Sequence, residues 1–186
     1  MERYVKKVFE FILTLCQNGI VKEIDTVSEY FFREGFMMKR LVTYFSASGV
    51  TKRAAEQLAQ AVGADLHEIR PAREYSRADL DWTNSKSRSS VEMNDPASRP
   101  ELAEEKTDLS GYDRVYVGFP IWWAVAPHAV NTFIENNDLA GKEIVVFATS
   151  GGSRLEPAVR SLQQQYPGLD IKAGKLLHGK VTGDII

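Results

Sequence analysis

A doubly wound α/β fold with a parallel sheet is predicted for residues 38–186, and two observations predict it. Strand-like apolar runs alternate with helix-like segments from Leu41 onward. Runs such as Val115–Val117 and Ile144–Phe147 are continuously apolar, which is typical of strands covered on both faces. Strands interleaved with helices imply parallel pairing through right-handed crossovers, so the carboxyl ends of the strands should meet at one edge of the sheet.

The predicted elements follow the chain in regular alternation. The strand-like segments, most of which begin just after a glycine, are Leu41–Phe45, Asp65–Ile69, Arg114–Gly118, Glu143–Ala148 and, with a weaker signal, Ile171–Leu177. The segments with helical spacing are Lys52–Val62, Pro127–Asn136 and Leu155–Tyr166. The long exception is Pro71–Asp108, which has few apolar positions. Its length indicates a functional or disordered loop, and Trp82 with the mixed charge around it favours a folded lid.

Residues 1–37 are predicted to form a helical extension, separate from the domain at 38–186. Apolar residues recur there at helical spacing between Val5 and Cys16, and again between Ile24 and Phe31. Two explanations stay open. Either translation starts at Met37 or Met38, so that the extension is not part of the protein, or an amphipathic helix covers exposed sheet surface or joins two copies of the chain.

Composition excludes several classes of protein. The 186 residues are 44% hydrophobic and 26% charged, which is typical of a globular domain with a sizeable core. The net charge is −2 and no Lys/Arg cluster occurs, so a nucleic-acid surface is not expected. The single cysteine, Cys16, cannot form an intramolecular disulfide, which favours a reducing cytoplasm. No segment is long enough to span a membrane, and no Cys/His cluster predicts a metal site.

The first predicted strand ends in a Ser-Ala-Ser-Gly-Val-Thr turn, residues 46–51, which we call the first loop. A helix follows directly, and the unpaired N–H groups and dipole at a helix N-terminus attract an anion. Gly49 permits close approach of the backbone, and the hydroxyls of Ser46, Ser48 and Thr51 can donate hydrogen bonds. A hydroxyl-rich helix cap without a ligand is the alternative interpretation.

Two further loops follow the third and fourth predicted strands. The second loop, residues 118–127, contains the adjacent Trp122 and Trp123 between two prolines. If that segment is extended, neighbouring side chains point in opposite directions, and one indole faces a cleft as a flat wall for a planar ring. The third loop, residues 149–153, has two glycines that allow backbone N–H groups to reach a ligand, with Ser153 expected as the helix N-cap.

Together the motifs S-A-S-G-V-T, G-F-P-I-W-W-A and A-T-S-G-G-S resemble the short-chain flavodoxin-like family, across about residues 38–180. That resemblance implies a five-stranded parallel sheet in the order 2-1-3-4-5 that binds FMN non-covalently, with the phosphate held almost entirely by neutral donors. It places three groups of residues at the cofactor: Ser46, Ser48, Gly49, Val50 and Thr51 at the phosphate, Pro120, Ile121, Trp122 and Trp123 along the isoalloxazine, and Ser150, Gly151 and Gly152 at its other edge.

This sequence departs from the family pattern in three places. Ser48 stands where threonine is frequent, and the hydroxyl is kept. Ala124 stands where glycine is frequent, which can tighten the second loop against the ring. The family continues beyond the last strand into a final helix, of which only the beginning is expected here.

The expected function is redox chemistry supplied by the flavin itself, with no catalytic side chain. His67, His128 and His178 are far apart in sequence and are expected to be structural or solvated. Two functions fit: one-electron transfer to a partner protein, and NAD(P)H-linked reduction of a small acceptor such as a quinone. The net charge of −2 lacks the strong acidic field that steers carriers to basic partners, which weakens the first. A flavodoxin fold that has lost the flavin is the alternative, and monomer and homodimer both stay open.

Overall fold

The computed structural model of the protein describes Thr14, residues 38–179 and residues 181–185. The chain divides into two compact units, Met1–Met38 and Lys39–Ile186. The helical extension predicted over residues 1–37 lies outside the described residues apart from Thr14. Both explanations offered for that extension, and the domain boundary, therefore stay predictions.

Five parallel strands form one sheet in the order β2-β1-β3-β4-β5, so the predicted order is confirmed. The strands are β1 (Arg40–Tyr44), β2 (Asp65–Glu68), β3 (Arg114–Pro120), β4 (Glu143–Thr149) and β5 (Asp170–Leu176). β3 and β4 lie in the middle of the sheet and are almost wholly buried, which explains their continuous apolar runs. β5 is an edge strand with several exposed positions, which explains its weaker signal.

Four helices accompany the sheet: α1 (Val50–Val62), α2 (Arg88–Asn94), α3 (His128–Asn136) and α4 (Glu156–Gln165). α1 begins two residues before the predicted start, because Gly49 takes a left-handed conformation (φ 79°) and the chain turns directly into the helix. α2 was not predicted, since its seven residues are too few to show a helical period. The Ser87 side chain caps α2 by accepting a hydrogen bond from the Ser90 N–H.

Apolar side chains cover both faces of the sheet. On one face, α1 packs on β1 through Ala55 and Leu58, which are fully buried. α3 and α4 cover the other face, with Phe133 and Leu162 in the core. This two-sided burial leaves the loops at the carboxyl ends of the strands as the open edge of the sheet, where ligands bind in folds of this type.

The segment that follows β5 covers the same face of the sheet as α1. Val181 and Ile185 are buried there, and the Val181 N–H donates a hydrogen bond to Gln57 Oε1 (3.1 Å). Residues 177–179 and 181–185 contain no helical turn, so the expected beginning of a final helix is not seen in the described residues.

Candidate functional site

The structure brings the three predicted loops to one edge of the sheet, because each follows a strand in the contiguous order β1-β3-β4. The Phe45 N–H donates to the Gly118 carbonyl (2.9 Å), which ties the first loop to the end of β3. The Ile121 N–H donates to the Thr149 carbonyl (3.0 Å), which ties the second loop to the third. The loops therefore form one continuous surface rather than three separate turns.

Among the described residues, the first loop contains a hydroxyl without a hydrogen-bond partner and leads into a helix N-terminus without a side-chain cap. Ser46 Oγ is buried and has no hydrogen-bond partner among the described residues. The N-terminus of α1 has no side-chain cap and no acidic residue in its first turn. Thr51 is different, because its Oγ1 lies 2.8 Å from Thr149 Oγ1 and both residues are buried. Donors of this kind, with exposed Ser48 beside them, are typical of anion sites, whereas the Thr51 hydroxyl joins two loops.

The second loop turns sharply, and the prediction of an extended segment was wrong. Trp122 and Val125 exchange two backbone hydrogen bonds (3.1 and 2.9 Å) around a two-residue turn. Both central residues are left-handed, Trp123 at φ 46° and Ala124 at φ 65°. Glycine or asparagine usually marks such a turn, and neither occurs here. Ala124 therefore takes a conformation that favours glycine, the residue that is frequent at this position in the family pattern.

The two tryptophans of this turn have different surroundings. Trp122 packs edge-on against Phe45 and Tyr75, with ring centroids 5.6 and 5.5 Å apart. Trp123 is 48% exposed. The turn thus packs one indole against the core and presents the other at the surface of the same loop.

The third loop is organised by its first serine. Ser150 Oγ accepts hydrogen bonds from the N–H groups of Gly152 (3.0 Å) and Ser153 (2.6 Å). Ser153 is therefore not the helix N-cap that the sequence indicated, because α4 begins only at Glu156. Gly151 and Gly152 are exposed, and a Cβ atom at either one meets no atom within 4 Å, so ligand atoms can approach their backbone.

A cleft of about 390 Å³ opens between the first two loops and the long segment 71–108. Its walls are Ala47, Ser48, Leu80, Trp82, Ser89, Pro120, Ile121, Trp122 and Trp123. Five of the twelve predicted cofactor residues line it: Ser48, Pro120, Ile121, Trp122 and Trp123. The others lie outside these walls: Ser46, Gly49, Val50, Thr51, Ser150, Gly151 and Gly152. All three tryptophans of the chain therefore face one cleft.

The sequence profile of the flavodoxin family matches residues 39–186. The chain belongs to the flavodoxin family. This confirms the resemblance found in the sequence.

Solved structures similar to this flavodoxin-family chain include three informative cases. A proposed flavoprotein from Bacteroides uniformis ATCC 8492 is 51% identical, with 77% of this chain and 92% of that chain covered at a TM-score of 0.76. A second proposed flavoprotein, from Bacteroides eggerthii DSM 20697, is 54% identical. The match covers 76% of this chain and 89% of that chain at a TM-score of 0.74. A flavoprotein in complex with FMN from Lactobacillus acidophilus NCFM is 22% identical. The match covers 75% of this chain and 93% of that chain at a TM-score of 0.62, and it shows the common fold alone. A comparison with curated proteins returned no match.

In this flavodoxin the long segment 71–108 supports the tryptophan cluster. The Tyr75 ring also packs edge-on against Phe45, at a centroid distance of 5.8 Å. Its hydroxyl donates to Glu92 on α2, and Arg88 forms an ion pair with Glu92 (2.6 Å) in which both side chains are 15% exposed. Burial and the bond to Glu92 raise the pKa of Tyr75, so the phenol stays neutral. The segment is therefore folded, as the sequence indicated, and fixed against Trp122.

Three residues of the long segment line the cleft but were not predicted as site residues: Leu80, Trp82 and Ser89. Trp82 is 74% exposed, which is unusual for so large an apolar ring. Its presence in a long polar segment was the available signal. Its position at the same cleft as the other two tryptophans has no local sequence pattern.

Among the described residues of this flavodoxin no three metal-ligating side chains come together, and no helix is both long and apolar enough to cross a bilayer. The histidines do not line the cleft. His67 packs on Phe133 with its Nε2 3.1 Å from Thr107 Oγ1, and His128 occupies the first position of α3. His178 is exposed. These positions agree with structural or solvated roles.

Acidification from about pH 7.5 to about pH 5.5 should lower the melting temperature of the protein, because the half-buried His67 and His128 resist protonation. Burial lowers the pKa of His67, and burial followed by the charge of Arg99 lowers the pKa of His128, both from 6.5. Below pH 6.5 the unfolded chain binds more protons than the folded one, so stability is full above that pH and falls below it. A double variant, His67→Gln with His128→Gln, should show a flatter profile. A melting temperature that rises on acidification contradicts this.

Proposed function

We propose that the protein binds FMN non-covalently and uses it to reduce a small acceptor at the expense of NAD(P)H. The observation that carries the proposal is the continuity of an anion-binding loop with an aromatic cleft at one sheet edge. An FMN molecule has a phosphate at one end and a planar apolar ring at the other, and this surface offers a complementary group for each. The Bacteroides relatives, named as proposed flavoproteins, and the Lactobacillus complex support the flavin-binding part of the proposal.

The residues present fit that cofactor in three groups. Ser46 Oγ, Ser48 and the backbone from Gly49 to Thr51 are proposed to hold the phosphate, and the unpartnered, buried Ser46 hydroxyl is the clearest sign of a missing acceptor. The ring is proposed to lie along the tryptophan cleft, against Pro120, Ile121, Trp122 and Trp123. The Ser150–Gly152 backbone is proposed to meet the other ring edge, where nothing obstructs Gly151 and Gly152.

FMN supplies the exchange of electrons with donor and acceptor when it is bound. The side chains of the cleft position the ring and exclude water, because seven of the nine wall residues are apolar. None of the wall residues is ionisable, so the cleft provides no general acid or base and protons come from solvent. The neutral Tyr75 phenol, held by Glu92, keeps Trp122 in place without adding a charge near the ring.

Such a flavoprotein can act as an electron carrier to a partner protein or as an NAD(P)H-dependent reductase. The weak overall charge favours the reductase. A net charge of −2 produces little long-range attraction to a basic protein partner. Steady-state oxidation of NAD(P)H in the presence of a quinone distinguishes the two. Turnover supports the reductase, whereas bound FMN that is reduced by a protein donor without any NAD(P)H turnover supports the carrier.

Addition of FMN to the apoprotein should quench the tryptophan fluorescence strongly and saturate at one FMN per chain. All three tryptophans line the proposed site, so no distant indole masks the signal. The purified protein should be yellow and release FMN on denaturation. A colourless protein whose fluorescence does not change with added FMN contradicts cofactor binding and supports the alternative of a fold that has lost its flavin.

A further inference from the structure

The first turn of α1 carries two cations and no acid. Lys52 and Arg53 occupy its third and fourth positions, and no side chain caps the helix. Because the N-terminus of a helix is the positive end of its dipole, cations there are unfavourable. α4 shows the usual arrangement, with Glu156 in its first turn. The charges of α1 are therefore arranged against the stability of the free helix.

The two cations differ in their partners. Lys52 Nζ lies 3.4 Å from a Glu68 carboxylate oxygen on β2. Arg53 is exposed, and within the described part of the chain its guanidinium forms no hydrogen bond or ion pair. The Arg53 side chain instead leans back over the first loop, where its Nη1 lies 3.6 Å from the position of a Cβ atom built on Gly49. Helical side chains point toward the N-terminus, so a residue four places after Gly49 covers that glycine.

We propose that the Arg53 guanidinium is a charged ligand of the FMN phosphate and makes the site selective for FMN over riboflavin. This inference rests on the proposed function. It differs from the pattern that the family resemblance implies, in which neutral donors hold the phosphate. Among the described residues, Arg53 supplies a positive charge without an acidic partner beside a loop of neutral donors, whereas the charge of Lys52 is paired with Glu68.

The chemistry of the phosphate explains why a cation belongs there. A phosphate monoester carries a charge of about −1.5 to −2 at pH 7. Serine hydroxyls and backbone N–H groups solvate that charge but do not neutralise it. A guanidinium presents several N–H donors in a planar fork that matches phosphate oxygens, and such charge-assisted hydrogen bonds are the stronger ones. Binding of the anion also offsets the unfavourable position of Arg53 at the helix N-terminus.

The role of Arg53 is tested by comparing wild type with Arg53→Gln. Tryptophan fluorescence gives the dissociation constants of each protein for FMN and for riboflavin. Glutamine keeps the helix propensity and removes the charge. The variant should bind FMN about tenfold more weakly, and more salt should narrow the difference. Its riboflavin affinity should match wild type. Arg160→Gln, which removes an exposed arginine from α4, is the matched control and should leave both constants unchanged.

A second measurement separates ligand binding from a structural role. Without FMN, Arg53→Gln should melt at the wild-type temperature or about 1–2 °C above it, because a cation has left the positive helix end. With saturating FMN it should melt below wild type. Equal FMN affinity in wild type and Arg53→Gln overturns the role of Arg53 but not the proposed function. An equal loss of affinity for FMN and for riboflavin does the same. Failure of wild type to bind FMN overturns the proposed function as well.

Discussion

Replacement of Gly118 by alanine is expected to destabilise the protein by about 3 kcal/mol, the largest effect of a single methyl group that the structure indicates. Gly118 pairs with Phe147 across β3 and β4. A Cβ atom on Gly118 lies only 2.0 Å from Phe147 Cζ, so it overlaps the far end of the ring. Phe147 is fully buried in the core layer beneath α1, so its ring has no free space to move into. The loss is a large fraction of the 5–15 kcal/mol that stabilises a typical domain.

Urea unfolding followed by circular dichroism measures this loss, and two variants control it. Gly168→Ala adds a methyl group where no atom lies within 4 Å, and it should change the free energy of unfolding by less than about 0.5 kcal/mol. Phe147→Leu should be less harmful in the Gly118→Ala background than in wild type, because the smaller side chain makes room. Additive effects in that double-mutant cycle contradict a steric cause.

Replacement of Trp122 by alanine is expected to cost about 3 kcal/mol of stability and to weaken FMN binding at least tenfold. The indole packs edge-on against both Phe45 and Tyr75, at 5.6 and 5.5 Å. Its removal leaves a cavity between the first two loops and the long segment. Since Trp122 also lines the cleft, the same change removes a wall of the proposed flavin site.

Trp123→Ala is the matched comparison, since the adjacent indole lines the same cleft but is 48% exposed. Its removal should change stability by less than about 1 kcal/mol while still weakening FMN binding. Thermal melting of the two apoproteins and fluorescence titration with FMN separate the two effects. Equal losses of stability in both variants contradict the anchoring role of Trp122.

The prediction for the second loop shows where local sequence reasoning stops. Two adjacent tryptophans indicated an aromatic wall, and both line the cleft. The predicted conformation was wrong, because Trp123 and Ala124 take left-handed angles that side chains rarely adopt. Those angles are held by the hydrogen bonds between Trp122 and Val125 and by packing around Trp122. No residue type in the turn predicts these left-handed angles.

The third loop shows a similar limit on a smaller scale. Its glycines indicated an open backbone, and Gly151 and Gly152 are exposed. The capping role assigned to Ser153 was wrong because the Ser150 hydroxyl binds the following N–H groups first, and α4 starts later. Several hydroxyls near a helix start compete for the same donors, and their geometry decides which one succeeds.

The alternation of strand-like and helix-like segments was sufficient to predict the parallel sheet and the meeting of three loops at one edge, since strands joined by right-handed crossovers must place their carboxyl ends together. The folded structure was needed to show that Trp82 faces Trp122 and Trp123 across a cleft and that Tyr75 supports one wall. The spacing of apolar residues and the residue types that favour turns are properties of neighbouring positions in the sequence. Contacts between positions some forty residues apart depend on how the folded layers pack, which no local pattern records.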